Sequence, residues 1–350
     1  MISSQCTPLR VLVFGAGSVG CYLGGRLAAA GARVHFVGRA RIGAELAGGG
    51  LVLSDYHGGM WHVAPDQIHF CNSVSEAPDD IDAALVTVKT AATPEAGRTL
   101  AAALRPGVPV VAFQNGLHNG AWLRELMPAQ RVFAGMVPFN VLHRGSGCFH
   151  QGSSGGLAIE VGDRLAGLEA AFAAAGLPLA VHQNFRGVLW SKLLLNLNNA
   201  VNALAGVPLR EEFAQRDFRR CLAAAQREAL LPLSIAGIRL ERLLAVSPRW
   251  MPAMLELPDW VYRRVSTAAP AMDPLARSSM WEDLEAGRAT EVEWINGEVI
   301  RLARSQGRDA PVNARLMQLV YEAERGGERA WRAADLWADL QRVRAVSKRE

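Results

Sequence analysis

A short apolar run, Val11 to Phe14 (VLVF), leads directly into GAGSVG at Gly15 to Gly20 and then into an Ala/Leu-rich segment that reads as a helix to about Ala30. The run has the character of a strand buried on both faces. Gly15 permits the tight turn out of that strand, Gly17 lets backbone approach a pyrophosphate, and Gly20 lets the helix pack closely on the strand. Ser18 and Val19 open the helix, whose N-terminal amides and dipole favour an anionic group. A glycine pattern alone is a weak signal. Set between a strand and a helix, and followed by a second strand at Arg33 to Val37 (RVHFV), it predicts the first βαβ unit of a dinucleotide-binding sheet.

The end of the second strand bears on the choice of dinucleotide. An NAD site usually places Asp or Glu about 20 residues beyond the glycines to hold the ribose hydroxyls. Here the chain reads Val37, Gly38, Arg39, Ala40, Arg41. Arg39 in that position would pair with a 2'-phosphate, so the expected cofactor is NADP(H); the alternative is a surface arginine in a turn. Further strands are expected at Ala83 to Val88 and Val108 to Phe113, with a helix near Ala96 to Leu104 between them. Lys89 follows the first, and Gln114, Asn115 and Gly116 follow the second. Ligands of doubly wound sheets bind beyond the carboxyl ends of the strands, so Lys89 and Asn115 are candidates for contact with cofactor or substrate. A solvated strand end explains Lys89 equally simply, and Asn-Gly is also a common turn dipeptide. Val132 to Val161 is expected to extend the sheet with antiparallel pieces. Leu165 to Ala175 reads as a helix, with a domain boundary near Gly176-Leu177-Pro178.

The second half changes to long helical periods. In the stretch Leu189 to Gly206 (LWSKLLLNLNNAVNALAG), Lys192, Asn196 and Asn199 fall at i, i+4 and i+7, one polar stripe among Leu, Val, Ala and Trp190. Burying an ammonium is costly, so the stripe suggests a polar cavity meant to be occupied. A lysine snorkelling to solvent beside hydrated asparagines fits the helix equally well. Another helix is expected over Phe213 to Leu231, followed by a stretch punctuated by Pro248, Pro252, Pro258, Pro270 and Pro274. In the run from Ser278 to Gln306, a continuous helix would separate Ser279 from Glu291 by about 18 Å. Gly287 weakens that helix, and Thr290 with Glu293 has the form of a capping box, which predicts a new helix starting at Thr290. Ser279 would then offer its hydroxyl and helix-terminal amides to a carboxylate, with Glu291 in the first turn of the next helix. Acidic residues also favour such positions for the dipole alone.

Composition narrows the function classes. The 350 residues suit two domains, and 37 basic against 33 acidic side chains leave a net charge of +4 with no block of like charge, so nucleic acid is not implied. Five widely spaced cysteines (Cys6, Cys21, Cys71, Cys148, Cys221) suggest a reducing, cytoplasmic setting, and no signal peptide or membrane span is expected. The histidines and cysteines form no metal-ligand spacing, and GxSxG and P-loop motifs are absent. Trp331, Leu336, Leu340 and Val343 fit an amphipathic helix that packs on the same chain or, in a homodimer, on a second copy.

Taken in order, GAGSVG, Lys89 after a strand, Asn115-Gly116, WSKLLLN with Lys192 and Asn196, SSM and TEVEWING resemble the ketopantoate reductase (2-dehydropantoate 2-reductase) family over roughly residues 9 to 325. The resemblance implies an α/β fold: an N-terminal Rossmann domain (1–180), then an all-α substrate domain (181–335) and a C-terminal tail (336–350). It implies NADPH-dependent reduction of a 2-oxo acid, ketopantoate to pantoate on the route to pantothenate. Lys192 would be the general acid and Glu291 its orienting neighbour, with Asn115 near the nicotinamide and carbonyl, and Ser279 on the substrate carboxylate. Asn196 falls where the likeness places a site asparagine, and Lys89 would be a cofactor or active-site lysine; Asn199, a candidate substrate contact, and Asn202 stand near the departure at Ala200. The chain departs from the family pattern at Ala200 and Ala276, where asparagines are usual, and at Ala92, where glutamine is common. Those departures leave open a reductase of another 2-oxo acid or ketone; a non-catalytic NADP(H)-binding sensor is the reading from another class.

Overall fold

The computed structural model describes residues 8–163, 165–265, 273 and 276–347, so Cys6, Pro270 and Pro274 lie outside the described residues. The chain divides into two compact units, Met1–Phe185 and Arg186–Glu350.

The first unit contains β1 (Arg10–Phe14), α1 (Ser18–Ala29), β2 (Arg33–Val37), α2 (Ala40–Gly49), β3 (Leu51–Asp55), β4 (Met60–Val63), β5 (His69–Cys71) and β6 (Ala83–Val86). It continues through α3 (Thr93–Ala103), β7 (Pro109–Ala112), α4 (Asn119–Leu126), β8 (Arg131–Met136), β9 (Val141–His143), β10 (Cys148–Gln151), β11 (Leu157–Glu160), α5 (Ala166–Ala174) and β12 (Leu179–His182). Eight strands form one sheet in the order β12-β11-β8-β7-β6-β1-β2-β5. Neighbours from β5 across to β8 are all parallel. The four residues of β6 are all buried, as a strand covered by helices on both faces requires. Chain order reverses between β1 and β6, so their loops flank the crevice where doubly wound sheets take ligands.

Two expectations for this unit are corrected. Residues 141–151 do not extend the main sheet: β9 and β10 join β3 and β4 in a separate sheet, order β4-β3-β10-β9, with β10 parallel to β3. The Gly176 turn, at φ 69°, is not a domain boundary. It leads into β12, which pairs in parallel with β11, so the expected division after residue 180 would cut a hydrogen-bonded strand.

The second unit is helical: α6 (Phe185–Asn196), α7 (Asn198–Ala205), α8 (Leu209–Ala214), α9 (Arg216–Ile235), α10 (Met251–Leu255), α11 (Asp259–Val265) and α12 (Ser279–Glu285), then α13 (Asn296–Arg304), α14 (Pro311–Glu324) and α15 (Ala333–Ser347). The long helix α9 is its axis and packs against α10, α13, α14 and α15. The expected tail at 336–350 is replaced through residue 347 by α15. Leu336 and Leu340 are fully buried, Arg220 of α9 stacks over Trp337 at 4.4 Å, and Arg315 of α14 pairs with Asp339 at 2.7 Å. The amphipathic face therefore packs on its own chain. Among the described residues, no helix is long and apolar enough to cross a membrane.

Candidate active site

In the sheet unit the glycine loop is held from two sides. Gly15, at φ 111°, occupies a conformation open to glycine, and the Gly15 and Ala16 amides both donate to the Val37 carbonyl at 2.9 Å. The Thr87 hydroxyl, just past β6, donates to the Gly15 carbonyl at 2.7 Å. At Gly20 there is no room: a Cβ would fall on the Gly15 carbonyl oxygen and 2.6 Å from Thr87 Oγ1. At Gly17 a Cβ would meet nothing within 4 Å. The loop is thus packed tightly behind and open in front, at the N-terminus of a twelve-residue helix with no acid in its first turn. Such a cradle fits the pyrophosphate of a dinucleotide, with the amides of Gly17, Ser18 and Val19 as its donors.

Arg39 is exposed at the N-cap of α2, two residues beyond β2, while Arg41 is ion-paired with Glu45 at 2.8 Å. Lys89 is exposed three residues after β6. The Asn-Gly dipeptide after β7 is a turn as well as a candidate site, because Gly116 has φ 96°. Its backbone is fixed by groups that sequence reasoning missed: the Asn115 carbonyl accepts from the Thr90 hydroxyl at 2.7 Å and from Asn119 Nδ2 at 2.5 Å. Thr93 and Gln114 extend this buried network. The partners come from the turn before α3 (Thr90), from α3 (Thr93) and from α4 (Asn119), and no local pattern encodes their meeting.

In the helical unit, the expected single helix from Leu189 to Gly206 breaks at Leu197 into α6 and α7. Lys192 and Asn196 share one face of α6, with Lys192 half-buried and Asn196 buried. Trp190, Leu193 and Leu194 are each at most 4 % exposed, and desolvation pulls the Lys192 ammonium down to about 8. At neutral pH the group remains largely protonated, with its proton held less firmly than that of a surface lysine. Asn199, on α7, reaches Ser279 in a 3.5 Å contact from its Nδ2 to the serine Oγ. Ser279 is the first residue of α12, and Ser278 is the cap: its hydroxyl accepts from the Trp281 amide at 3.1 Å and donates to the Asn199 carbonyl at 3.3 Å. Asn202, Ser278 and Glu212 belong to the same buried cluster, which was not foreseen. Glu212 is 1 % exposed, and burial raises its carboxyl to about 8 despite hydrogen bonds from Asn202 and Asn198. Ala200 and Ala276 are buried at 0 % and 2 %.

The capping box at Thr290 does not form. The Thr290 hydroxyl accepts from the Val292 amide at 3.4 Å, but Glu293 is taken by Tyr321, whose hydroxyl donates to it at 2.7 Å, and by Arg301. A 3-10 turn at Val292–Trp294 follows instead, and α13 starts at Asn296. Glu291 is therefore the N-cap of a 3-10 turn rather than a residue of a helical first turn. The turn is pinned on both sides to α14, because the Thr290 amide also donates to Glu324 at 2.8 Å. Asn296, in the TEVEWING motif, is fully buried and donates to Asn313 at 3.1 Å, which gives that residue a packing role.

The family model for ketopantoate reductase PanE/ApbA matches residues 11–164, and the one for its C-terminal part matches residues 184–324. The chain belongs to the ketopantoate reductase family. Members are oxidoreductases acting on CH–OH groups and depend on a pyridine nucleotide. A 2-dehydropantoate 2-reductase from Halobacterium salinarum is 30 % identical across 91 % of this chain and 100 % of its own length. The structure of a PanE/ApbA family ketopantoate reductase from Ralstonia eutropha is similar at TM-score 0.76 and 29 % identity, covering 91 % of this chain and 99 % of that one. A D-mandelate dehydrogenase solved with NADH and anilino(oxo)acetate shares the fold at TM-score 0.75 and 19 % identity, over 91 % of this chain and 99 % of that one.

Proposed function

We propose that this chain reduces 2-dehydropantoate to pantoate with NADPH, the step that feeds pantothenate synthesis in the cytoplasm. The observation that carries the reading is Lys192, an ammonium lowered to about 8 by burial and sharing a face of α6 with the buried Asn196, in a chain of this family. Gly15, Gly17, Ser18, Val19 and Gly20 would hold the pyrophosphate, and Lys89 and Asn115 would lie toward the nicotinamide. When bound, the dinucleotide supplies the hydride. Lys192 Nζ stabilises the alkoxide that develops at the 2-oxo oxygen and gives it a proton, leaving a neutral amine. Asn196 and Glu291 orient that lysine and the substrate. Asn199 and Ser279 hold the carboxylate through their amide and hydroxyl donors.

The preference for NADPH rests on Arg39. A charge-assisted pair with the 2'-phosphate is worth about 2 kcal/mol, so Arg39→Ala weakens NADPH binding roughly 30-fold and changes NADH binding less than about twofold. Fluorescence titration with both dinucleotides checks this, and equal losses would remove Arg39 from that role.

A second reading, reduction of a different 2-oxo acid, is favoured by Ala200 and Ala276, which are apolar and buried where the family resemblance leads one to expect asparagine. Following NADPH oxidation with 2-dehydropantoate, 2-oxoisovalerate and phenylglyoxylate separates the two. The first reading expects 2-dehydropantoate to have the highest kcat/KM; turnover of 2-dehydropantoate no better than that of the simpler acids would transfer the assignment to the second.

A further inference from the structure

We propose that Asn202 is a positioning residue for the substrate-carboxylate contact at Ser279, a role that rests on the assignment of Ser279 made above. Asn202 is fully buried on α7. Its Oδ1 accepts the backbone N–H of Ser278 at 2.8 Å, while its Nδ2 donates to Glu212 Oε2 at 2.7 Å and to the Val207 carbonyl at 2.9 Å. An N–H can only donate, so the atom facing Ser278 must be the amide oxygen, and the orientation of this side chain is fixed by chemistry.

The partners on either side give the arrangement its purpose. Ser278 caps α12 and Ser279 is the residue that follows. Three residues before Asn202, Asn199 takes the Ser278 hydroxyl on its carbonyl and approaches Ser279 Oγ with its amide. The helix α7 thus grips the serine pair at two levels, with Asn199 holding side chains and Asn202 holding backbone. Glu212 is the anchor behind Asn202, buried on α8 and reached by the amides of both Asn198 and Asn202. A leucine of similar size would fill the same space, so packing alone does not call for an amide here. What leucine cannot supply is an acceptor for Ser278 and a donor for Glu212, each costly to leave unpaired in the interior.

The test is steady-state kinetics on the full chain, with KM for 2-dehydropantoate, KM for NADPH, kcat and Tm measured for each variant. Ser279→Ala is expected to raise the 2-dehydropantoate KM roughly tenfold, the loss of one hydrogen bond to a charged group. Asn202→Asp removes the N–H donor that faces Glu212 and the Val207 carbonyl and sets an acidic side chain in its place, and is expected to raise the same KM roughly tenfold with kcat and the NADPH KM within about twofold. Adding Glu212→Gln restores a hydrogen bond of reversed polarity, and the KM should return toward the parent value. Asn202→Ser, too short to span both partners, gives the same KM readout without a new charge if the aspartate variant fails to fold. The role is overturned if Ser279→Ala raises KM while the Asn202 variants leave it unchanged, or if those variants lower kcat and Tm alone. A KM unmoved by Ser279→Ala would instead remove the Ser279 assignment, and this role with it.

Discussion

Replacing Lys192 by alanine is expected to lower kcat for the proposed 2-oxo acid reduction by about a thousandfold and to leave the NADPH dissociation constant unchanged. The magnitude combines two losses. One is electrostatic: the alkoxide formed on hydride arrival no longer meets a positioned ammonium. The other is the proton, which must then come from water. On α6 the other basic residue, Arg186, lies six residues before Lys192, and the neighbours Trp190, Leu193 and Leu194 are buried and apolar, so no adjacent side chain can take over the proton transfer. Alanine is a good helix former, so the variant should fold normally and a circular dichroism spectrum should match the parent. Unchanged turnover in a folded, cofactor-binding variant would remove Lys192 from its role.

Gly20→Ala is expected to cost both stability and cofactor binding, whereas Gly17→Ala costs binding alone. At Gly20 the added methyl meets backbone, the Gly15 carbonyl, and the Thr87 hydroxyl that donates to it. Neither can withdraw without separating α1 from β1 and β6. Overpacking of this kind costs about 2 kcal/mol, and the displaced helix terminus weakens NADPH binding roughly a hundredfold or more. At Gly17 the same methyl meets nothing within 4 Å beyond its own chain neighbours, so Tm is expected to stay near the parent value while the methyl projects into the space assigned to the pyrophosphate. Thermal melts paired with NADPH titrations distinguish the two. Equal Tm values with normal binding in both would mean the loop is not a phosphate cradle.

The parts that could be read from sequence are those encoded over short distances. VLVF-GAGSVG with its helix, the second strand and the runs ending at Lys89 and Asn115 each carry their signal within a few residues, and together they give the parallel sheet. The second sheet was missed because β3 finds its parallel partner β10 more than ninety residues later, a pairing that leaves no local mark. Thr290 and Glu293 have the spacing of a capping box, but a carboxylate takes the best donors in reach, and Tyr321 and Arg301 outcompete the backbone amide. The break at Leu197 is similarly invisible, since the residues on both sides favour a helix and Leu197 itself keeps helical dihedrals. The placement of Lys192 and Asn196 on one helix face was legible from their spacing, while Asn199 falls on the next helix, α7. Asn202 and Glu212 were not legible as partners, because their pairing depends on the reversal at Gly206 that brings α8 back beside α7.

The central claim is that Lys192 gives up a proton during reduction, and the pH dependence of both directions tests it most directly. A proton donor is lost as pH rises through its pKa, and a proton acceptor is gained. With the ammonium at about 8, kcat for reduction should hold steady below that pH and fall about tenfold per unit above it, while oxidation of the 2-hydroxy acid rises over the same range and then levels. Reduction that continues at full rate from pH 8 to pH 10, with no matching rise in the reverse direction, would contradict it.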